Sequence, residues 1–427
     1  MRALLRALLR NRYVMWLGKR LYTYFLDDIR QVLNENPAVN EINPLPIRRS
    51  EHPGLRINLM IPAVSERHIF GGISTALQFF ESFASHAPDL RIIATDEGSL
   101  RDQRMDSDRF KGWTFADSTE PDQPGRLITA VGHRRGALPL RDNDVFIATA
   151  WWTAHLATAL TRQQAEWHGG PRRRFIYLIQ DYEPLFHPWS ARYALAAQTY
   201  DPRNGYTPVF NTSLLRDYMA GLGLAAPDAL SFDPTLNRRL KDTVQGLAPM
   251  PRERRILVYG RPSVDRNAYP LLVRGLRRLA ERVDVSGWQF VSAGEPHAPA
   301  DLGGGATLTA LGKLSLEDYA RELRRCHAGV SLMISPHPSY PPLEMAANGL
   351  WVVTNHYPPK DLSTWAPNIR SIDVADADQL ADQLADIMGR FGEPVPDGAL
   401  DPAFRHYLEG SPDFAAVADA AWEQVHA

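Results

Sequence analysis

The sequence has little of what marks disulfide-bonded, metal-thiolate, nucleic-acid-binding or membrane-spanning proteins. Its 427 residues include one cysteine, Cys326, which excludes an intramolecular disulfide and a zinc cage built from cysteines. The formal net charge is −2, so no global field draws the chain to nucleic acid. It has no uninterrupted apolar run of about 18 residues, no short-period repeat and no low-complexity tract. The cysteine usage fits a reducing compartment, and we expect a cytoplasmic protein.

The first 30 residues have the pattern of a basic amphipathic helix. Arg2, Arg6 and Arg10 share one helix face because they are four residues apart, and leucines occupy the other face. Arginines in every turn distinguish the segment from a secretory signal. Such a helix can lie at a membrane surface, which would make the protein peripheral to the inner face of the plasma membrane. The alternative is that its apolar stripe packs on its own domain or on a second subunit of a homodimer.

Beyond residue 54, short apolar runs alternate with helical stretches, as is typical of βαβ units and a parallel sheet. A chain of this length suits two domains of about 150–200 residues each. We therefore expect an α/β fold with two Rossmann-like domains facing a cleft. The expected divisions are an N-terminal extension and linker over 1–54, a first domain over 55–240, a second over 241–400, and a C-terminal helix over 401–427 that returns to the first domain.

The predicted strands are the apolar runs between turn signals. In the first half they are Arg56–Pro62, Leu90–Thr95, Leu127–Val131, Asp144–Ala150, Phe175–Asp181 and Pro208–Asn211. In the second half they are Arg255–Gly260, Gln289–Gly294, Thr307–Gly312, Gly329–Ser335, Trp351–Asn355 and Ser371–Val374. The predicted helices include Gly72–Ala84, Ala268–Val283, Leu316–Cys326, Pro342–Asn348 and Asp378–Met388.

Two arginines follow the predicted strand Arg255–Gly260. Arg261 and Arg266 lie between its end and the next helix, at the edge of an open α/β sheet where ligands bind. Two guanidinium groups there can clamp a diphosphate through bidentate hydrogen bonds and neutralise charge on a departing nucleotide. The alternative is a pair of surface arginines near Asp265.

The segment Ser335–Gly349 places a helix start at a second strand end. Proline suits the first helical turn, and the unpaired N–H groups of a helix start favour anions. Ser339 and Tyr340 can offer N–H and hydroxyl groups to phosphate oxygens, while Glu344 can accept hydrogen bonds from ribose hydroxyls. The alternative for Glu344 is an acid that only complements the helix dipole. Beside the two arginines, the segment predicts half of a diphosphate clamp.

The first domain is expected to supply the acceptor side of the cleft. Gly72 lies at a strand-to-helix junction, where the missing side chain lets backbone approach a phosphate or sugar; a plain tight turn is the alternative. Trp151 and Trp152 follow another strand and can stack on sugar rings, although one of the two is expected in the core.

Two carboxylates end the predicted strand Phe175–Asp181. Asp181 is the first choice for a catalytic base and Glu183 the second, because both lie at a strand end among aromatic residues. His187 follows closely and is expected to line the acceptor groove. The alternative is that Asp181 and Glu183 only fix the loop through hydrogen bonds.

These motifs together resemble the C-terminal domain of GT-B glycosyltransferases of family 4, and the resemblance spans roughly residues 55–390. It rests on the glycine-arginine strand end, on Gly312–Tyr319, and on Ser335–Gly349. It implies that Arg261 and a basic residue, here Arg266, hold the donor diphosphate. It adds Lys313 to the donor site, and it implies that the loop carrying Gly72 also touches the donor diphosphate.

The same resemblance implies that Glu344 holds the ribose of the nucleotide. Pro336 stands where the family has a further glutamate that contacts the transferred sugar, which puts the usual hexose contacts in doubt. Phe175–Tyr200 and Ser335–Ala347 resemble bacterial rhamnosyltransferases of surface-glycan assembly that use dTDP-β-L-rhamnose. In such enzymes a 6-deoxy sugar could explain the changed contact.

We therefore expect a glycosyltransferase that moves a deoxyhexose, L-rhamnose from dTDP-β-L-rhamnose, to a hydroxyl of a growing or lipid-linked cell-surface glycan such as an O-antigen. The family leans towards retention, but the residues do not choose between retention and inversion. With no Asp-x-Asp motif near a strand end, we expect neither a metal nor another cofactor. The alternatives are a GT-B nucleotide-sugar epimerase and a non-catalytic nucleotide- or glycan-binding subunit of a membrane complex.

Overall fold

The computed structural model describes residues 39–65, 71–98, 100, 108–116, 118–119, 121–374, 376–395 and 398–426. The chain divides into two compact units, 1–44 and 45–427. In the first unit the described residues contain a 3-10 turn, Asn40–Ile42. The amphipathic segment of residues 1–30 lies outside the described residues, so its helix stays a prediction. All that follows concerns the second unit.

Among the described residues of the N-terminal half, a parallel sheet has the strand order β10-β9-β8-β7-β2-β3-β5-β4, and β1 pairs with β6 beside it. The strands are β1 (Ile47–Arg49), β2 (Arg56–Ile61), β3 (Asp89–Ala94), β4 (Thr114–Phe115), β5 (Arg126–Ala130), β6 (Leu138–Leu140), β7 (Asp144–Ala148), β8 (Phe175–Ile179), β9 (Tyr206–Asn211) and β10 (Leu230–Phe232). Because β1 pairs with β6, residues 47–49 of the predicted linker belong to the folded N-terminal half of the second unit.

The second half builds another sheet, ordered β13-β14-β12-β11-β15-β16-β17, parallel except for its edge strand β13. The strands are β11 (Glu253–Gly260), β12 (Gln289–Gly294), β13 (Ala300–Gly303), β14 (Ala306–Gly312), β15 (Cys326–Val330), β16 (Trp351–Asn355) and β17 (Ile369–Ile372).

Helices cover both faces of each sheet. They are α1 (Gly71–Glu81), α2 (Trp151–His168), α3 (Ala191–Gln198), α4 (Ser213–Gly221), α5 (Arg238–Gly246), α6 (Tyr269–Arg282), α7 (Leu316–Arg325), α8 (Tyr340–Ala347), α9 (Ala377–Gly389), α10 (Pro402–Glu409) and α11 (Phe414–His426). α1 and α11 pack on one face of the first sheet, and α2 and α4 on the other. α6 and α9 share one core of the second sheet, while α5, α7, α8 and α10 share the other.

The continuous apolar strands follow from this arrangement. Ile57, Leu59 and Ile61 of β2 enter the core beneath α1, while Met60 enters the core beneath α2. A parallel strand covered on both faces has no solvent side, so it needs no polar alternation. Twelve predicted strands and five predicted helices all correspond to observed elements, with ends shifted by a few residues.

One predicted strand is displaced along the sequence. The prediction was Gly329–Ser335, but β15 spans Cys326–Val330 and ends five residues earlier. The chain leaves the sheet because a side chain, not a neighbouring strand, pairs with its backbone. The Met333 N–H donates to Asn355 Oδ1 at 2.6 Å, and Asn355 Nδ2 donates to the Met333 carbonyl at 3.0 Å. The segment from 331 to 339 is therefore a loop at the carboxyl edge of the sheet.

A buried network of charged side chains lies at the amino ends of the strands in the first sheet. The Arg56 side chain donates to Asp144 Oδ1 at 2.7 Å and to Asp122 Oδ1 at 2.7 Å. Arg141 donates to Asp122 Oδ2 at 2.7 Å. Burial alone would raise the pKa of Asp122, but hydrogen bonding and attraction from these arginines hold it well below its usual range. The network therefore stabilises ionised carboxylates inside the fold.

Candidate active site

The first donor-side segment follows β11 at Gly260. A Cβ on Gly260 would lie 2.0 Å from Ser292 Oγ, so a larger residue at the end of this strand would force the Ser292 side chain of β12 to move. Arg261 comes next and donates from Nε to Glu295 Oε1 at 3.3 Å. Arg266 lies beyond, with its guanidinium 4.1 Å from the centre of the Phe186 ring. The two predicted arginines thus share one loop but have different partners.

Two hydrogen bonds join this loop to the loop that follows β15. The Ile334 N–H donates to the Arg266 carbonyl at 2.7 Å. Asn267 Nδ2 donates to the Leu332 carbonyl at 3.2 Å. The structure therefore places the Arg266 loop and the Ser335–Gly349 segment side by side.

The backbone N–H of the residue that precedes α8 already has a hydrogen-bond partner in the same loop. The Ser339 N–H donates to His337 Nδ1 at 3.0 Å, and Ser339 is buried with a positive φ of 68°. Its amide is therefore already used, which corrects the expectation that this N–H is available to phosphate. Tyr340 is half-buried, with its ring centre 5.7 Å from that of His337. Pro336, in the position of the family's sugar-binding glutamate, is buried beside them.

Glu344 lies in the first turns of α8 and bonds to α7. The Tyr319 hydroxyl donates to its Oε2 at 2.8 Å. Burial raises the pKa of Glu344 to about 7, against the opposing effect of that hydrogen bond. Its side chain can switch between acid and carboxylate near neutral pH.

Lys313 is exposed just after β14, two strands along the same edge from β11.

The carboxyl edge of the first sheet carries Gly72 and Trp152. A Cβ on Gly72 would lie 2.9 Å from the Gln180 Oε1 atom, so the start of α1 touches the end of β8. Trp152 is half-buried and donates from Nε1 to Asp96 Oδ1 at 3.1 Å. Gly72 is exposed at the start of α1.

Trp151 is not on the acceptor rim, and this corrects one predicted site residue. Its side chain is 1% exposed, because α2 begins at Trp151 and turns this residue into the domain. The Trp151 ring packs edge-on against His187 at 6.1 Å between centroids. His187 is half-buried. Beyond it, Trp189 is 89% exposed and packs on Tyr193 at 4.9 Å.

Glu183 occupies a capping position rather than an open one. Its carboxylate accepts a hydrogen bond from the Trp151 N–H at the start of α2. Burial raises the pKa of Glu183 to about 8; the Trp151 amide lowers it and ionised Asp181 raises it further. At neutral pH the group is mostly protonated, which suits a hydrogen-bonding acid better than a general base.

Asp181 is where the two halves of the site meet. Ser335 Oγ donates to Asp181 Oδ1 at 2.7 Å, and Arg266 Nη1 lies 3.9 Å from Oδ2. The carboxylate also accepts from the Tyr182 N–H at 2.9 Å. The pKa of Asp181 is raised above its usual value, because the effect of burial exceeds the lowering by these three groups and by the Lys360 ammonium. One carboxylate of the first sheet thus faces the donor loops of the second.

Lys360, which the sequence analysis did not single out, lies in the same cluster. It is fully buried, and its Nζ donates to the Met333 carbonyl at 2.6 Å. It follows two prolines in a polar loop, a context that indicates a surface turn, so the local sequence carried no signal for burial. A contact between Tyr218 and Tyr357, at 6.2 Å between ring centroids, also crosses from the first half to the second.

Within the described ranges, no group of three or more histidine, cysteine, aspartate or glutamate side chains has a geometry suited to a metal ion. The same part of the chain contains no helix long and apolar enough to cross a membrane.

Comparison with known families matches both halves of the chain. The model of the WsaF N-terminal domain matches residues 56–213, and that of the WsaF C-terminal domain matches residues 254–385, so together they span about two thirds of the sequence. The chain belongs to the WsaF family of GT-B glycosyltransferases. The predicted two-domain GT-B fold is confirmed.

A curated relative of this WsaF-family protein is the O-antigen biosynthesis protein RfbC of Myxococcus xanthus. The two are 34% identical over 215 residues, which is 50% of this chain but 16% of RfbC. The match thus concerns a small part of a much longer protein.

Solved structures with the same architecture include the lipopolysaccharide outer core galactosyltransferase WaaB, at a TM-score of 0.52 and 12% identity over 87% of this chain and 99% of WaaB. Another is the E. coli trehalose-6-phosphate structure with UDP-2-fluoro glucose, at a TM-score of 0.50 and 11% identity over 87% and 98%. At these identities the likeness concerns the fold.

Proposed function

We propose that this WsaF-family protein transfers L-rhamnose from dTDP-β-L-rhamnose to a hydroxyl of a growing or lipid-linked surface glycan. The observation that carries the proposal is the meeting of Asp181 with Arg266 and Ser335. It sets an acid of the acceptor side against the loops that would hold a nucleotide diphosphate. The relation to an O-antigen biosynthesis protein favours a surface polysaccharide as acceptor.

In this proposal the donor lies along the carboxyl edge of the second sheet. Arg261, Arg266 and Lys313 bind the diphosphate, and Tyr340 contributes its hydroxyl at the start of α8. Glu344 binds the ribose. Cations in these positions stabilise the charge that develops on the leaving dTDP, the role that a metal ion fills in other transferases. We accordingly propose a reaction that needs neither a metal nor another cofactor.

The reaction breaks the bond between the anomeric carbon and the β-phosphate oxygen and forms a bond from the acceptor oxygen to that carbon. The acceptor proton goes to Asp181 in an inverting reaction or to the leaving phosphate in a retaining one. In the second case an ionised Asp181 stabilises the positive charge on the sugar. Trp152 and His187 are the proposed acceptor-side contacts, with Glu183 as a supporting acid. Gly72 lets the backbone of the first domain approach the donor diphosphate.

Incubation of the full chain with dTDP-β-L-rhamnose and rhamnose-terminated glycans tests the proposal. We expect release of dTDP, an acceptor mass increased by one deoxyhexose, and the same rate with and without EDTA. UDP-glucose and GDP-mannose serve as matched donors. Preferential transfer from either would overturn the rhamnose assignment, and donor binding without any product would favour a non-catalytic subunit. Conversion of the sugar without an acceptor would identify an epimerase.

We further propose a cytoplasmic protein that contacts the inner face of the plasma membrane through residues 1–30. Cosedimentation with phosphatidylserine vesicles tests this contact, and we expect binding that weakens as salt is raised. No sedimentation at low salt would leave the alternative in which the segment packs on this chain or on a second copy. A dimer would then appear in sedimentation velocity.

A further inference from the structure

Lys360 is a cation that cannot leave its position. Its side chain has no exposed area, and its ammonium is bonded to the Met333 carbonyl at 2.6 Å. Its backbone is fixed as well, because its N–H and carbonyl pair with the carbonyl and N–H of Tyr357 at 2.6 and 2.9 Å. A buried ammonium with few acceptors is costly unless an anion lies close by. The same Met333 carbonyl accepts from the Ser335 N–H at 2.9 Å, and Ser335 Oγ donates to Asp181 Oδ1 at 2.7 Å, which places the Asp181 carboxylate close to Lys360. This carboxylate attracts the ammonium.

Arg266, the other cation near Asp181, is held far less firmly. Its side chain is 29% exposed, its Nη1 lies 3.9 Å from the carboxylate, and its buried Nε has no partner. A diphosphate offers a guanidinium two oxygens in a bidentate arrangement, which is stronger than one long contact. Donor binding therefore draws Arg266 away from Asp181.

Several other charged or titratable groups lie near Asp181 and interact with its charge. Glu183 and Asp181 repel each other when both are ionised. Burial raises the pKa of the Tyr357 hydroxyl, and the Asp181 carboxylate raises it further. His337 faces Lys360 and Arg266, but burial lowers the pKa of His337 to about 3, so this ring is neutral. Once Arg266 has turned to the donor, Lys360 is the remaining cation among these groups.

We infer that Lys360 is a positioning residue that keeps Asp181 ionised in the cleft while Arg266 binds the donor diphosphate. The inference rests on the proposed function and adds a residue to it. Both chemical roles of Asp181 need the carboxylate: a protonated acid neither accepts the acceptor proton nor stabilises positive charge on the sugar. Lys360 acts on the reaction through Asp181.

The pH profile of kcat tests this role. Lys360→Gln keeps a donor for the Met333 carbonyl but removes the charge, and Lys360→Met removes both. Burial lowers the pKa of Lys360 to about 7, so the wild-type ammonium is charged below that pH. In both variants we expect the acid limb of kcat to move up by about one pH unit, with KM for dTDP-rhamnose within about threefold. Lys241→Met, at an exposed lysine of α5, should leave the profile unchanged. An equal loss of kcat at every pH would overturn the inference.

A double-mutant cycle supplies a test that needs no turnover. The unfolding equilibria of wild type, Asp181→Asn, Lys360→Gln and the double variant are compared in urea at pH 6 and pH 9. We expect a coupling of about fivefold or more in the unfolding constant at pH 6, lost at pH 9 where Lys360 is neutral. Additive effects at both pH values would contradict the inference. If wild type transfers no sugar but the coupling is present, the proposed reaction fails while the Lys360–Asp181 pair stands.

Discussion

At the scale of single residues, burial makes Glu344, the predicted ribose-binding residue, sensitive to pH near neutrality. Its position in the first turns of α8 was predicted from the sequence, but its contact with Tyr319 and its burial were not. The contact depends on α7 and α8 packing together, which only the folded chain brings about. A carboxylate that titrates near neutrality gives the donor site a property that can be measured.

We predict that affinity for dTDP-rhamnose falls as the pH drops below about 7. The pKa of Glu344 is raised to about 7, so the ionised form that accepts two ribose hydroxyls prevails above this pH and is lost below it. Between pH 8 and pH 6 the dissociation constant should rise by about tenfold. Titration calorimetry across this range measures the effect.

Glu344→Gln is the control for that titration, since it should bind weakly with no such pH dependence. Tyr319→Phe removes the hydrogen bond that lowers the pKa of Glu344, so the midpoint should move to higher pH. A Gln variant with an unchanged pH profile would rule Glu344 out as its source.

At the scale of elements, the sequence predicted the strands and helices well and the loops poorly. β12 and β16 were predicted with their observed ends, because buried parallel strands are continuous apolar runs. β15 was displaced because Met333 and Ile334 are as apolar as a strand but bond to Asn355 and Arg266 instead. Such loops are defined by contacts distant in sequence, and Lys360 is hidden from local patterns for the same reason.

The buried charge network at the other edge of the first sheet makes a prediction about stability. Asp122→Asn leaves Arg56 and Arg141 short of a carboxylate, and breaking a buried pair in this way costs about 3 kcal/mol or more. The pKa of Asp122 is depressed in the fold, so the stability it supplies is present above its unfolded pKa and is lost as the pH falls.

Urea unfolding at pH 7, and at about pH 3, which lies below the unfolded pKa of an aspartate, measures this contribution. Asp142→Asn, a half-exposed acid next to the network, is the matched control and should change the free energy of unfolding by less than about 0.5 kcal/mol. Equal effects of the two substitutions would show that the network adds little stability.

At the scale of the whole molecule, the proposed function divides binding and reaction between the two sheets. The GT-B architecture could be predicted from alternating strands and helices, and the donor edge from arginines and a helix start. The contact of Asp181 with Ser335 could not, since it depends on how the two halves face each other. In the proposed function, that contact links donor binding in one half to chemistry in the other.

We predict that Asp181→Asn separates these two properties. The amide can keep a hydrogen bond to Ser335 but carries no charge, so kcat should fall by about a hundredfold or more. The dissociation constant for dTDP-rhamnose, which depends on the second half, should stay within about threefold of wild type. Rapid-quench kinetics and calorimetry on one preparation measure both. A parallel loss of binding would mean that Asp181 belongs to the donor site itself.

The most direct test of the account is the affinity of dTDP-rhamnose for wild type, Arg261→Ala and Arg274→Ala. Arg274 is an exposed arginine of α6 and serves as the matched control. A charge-assisted pair of hydrogen bonds to the diphosphate makes Arg261→Ala weaken binding by about ten- to a hundredfold, while Arg274→Ala binds as wild type does. Wild-type affinity in Arg261→Ala would contradict the diphosphate site on which the account depends.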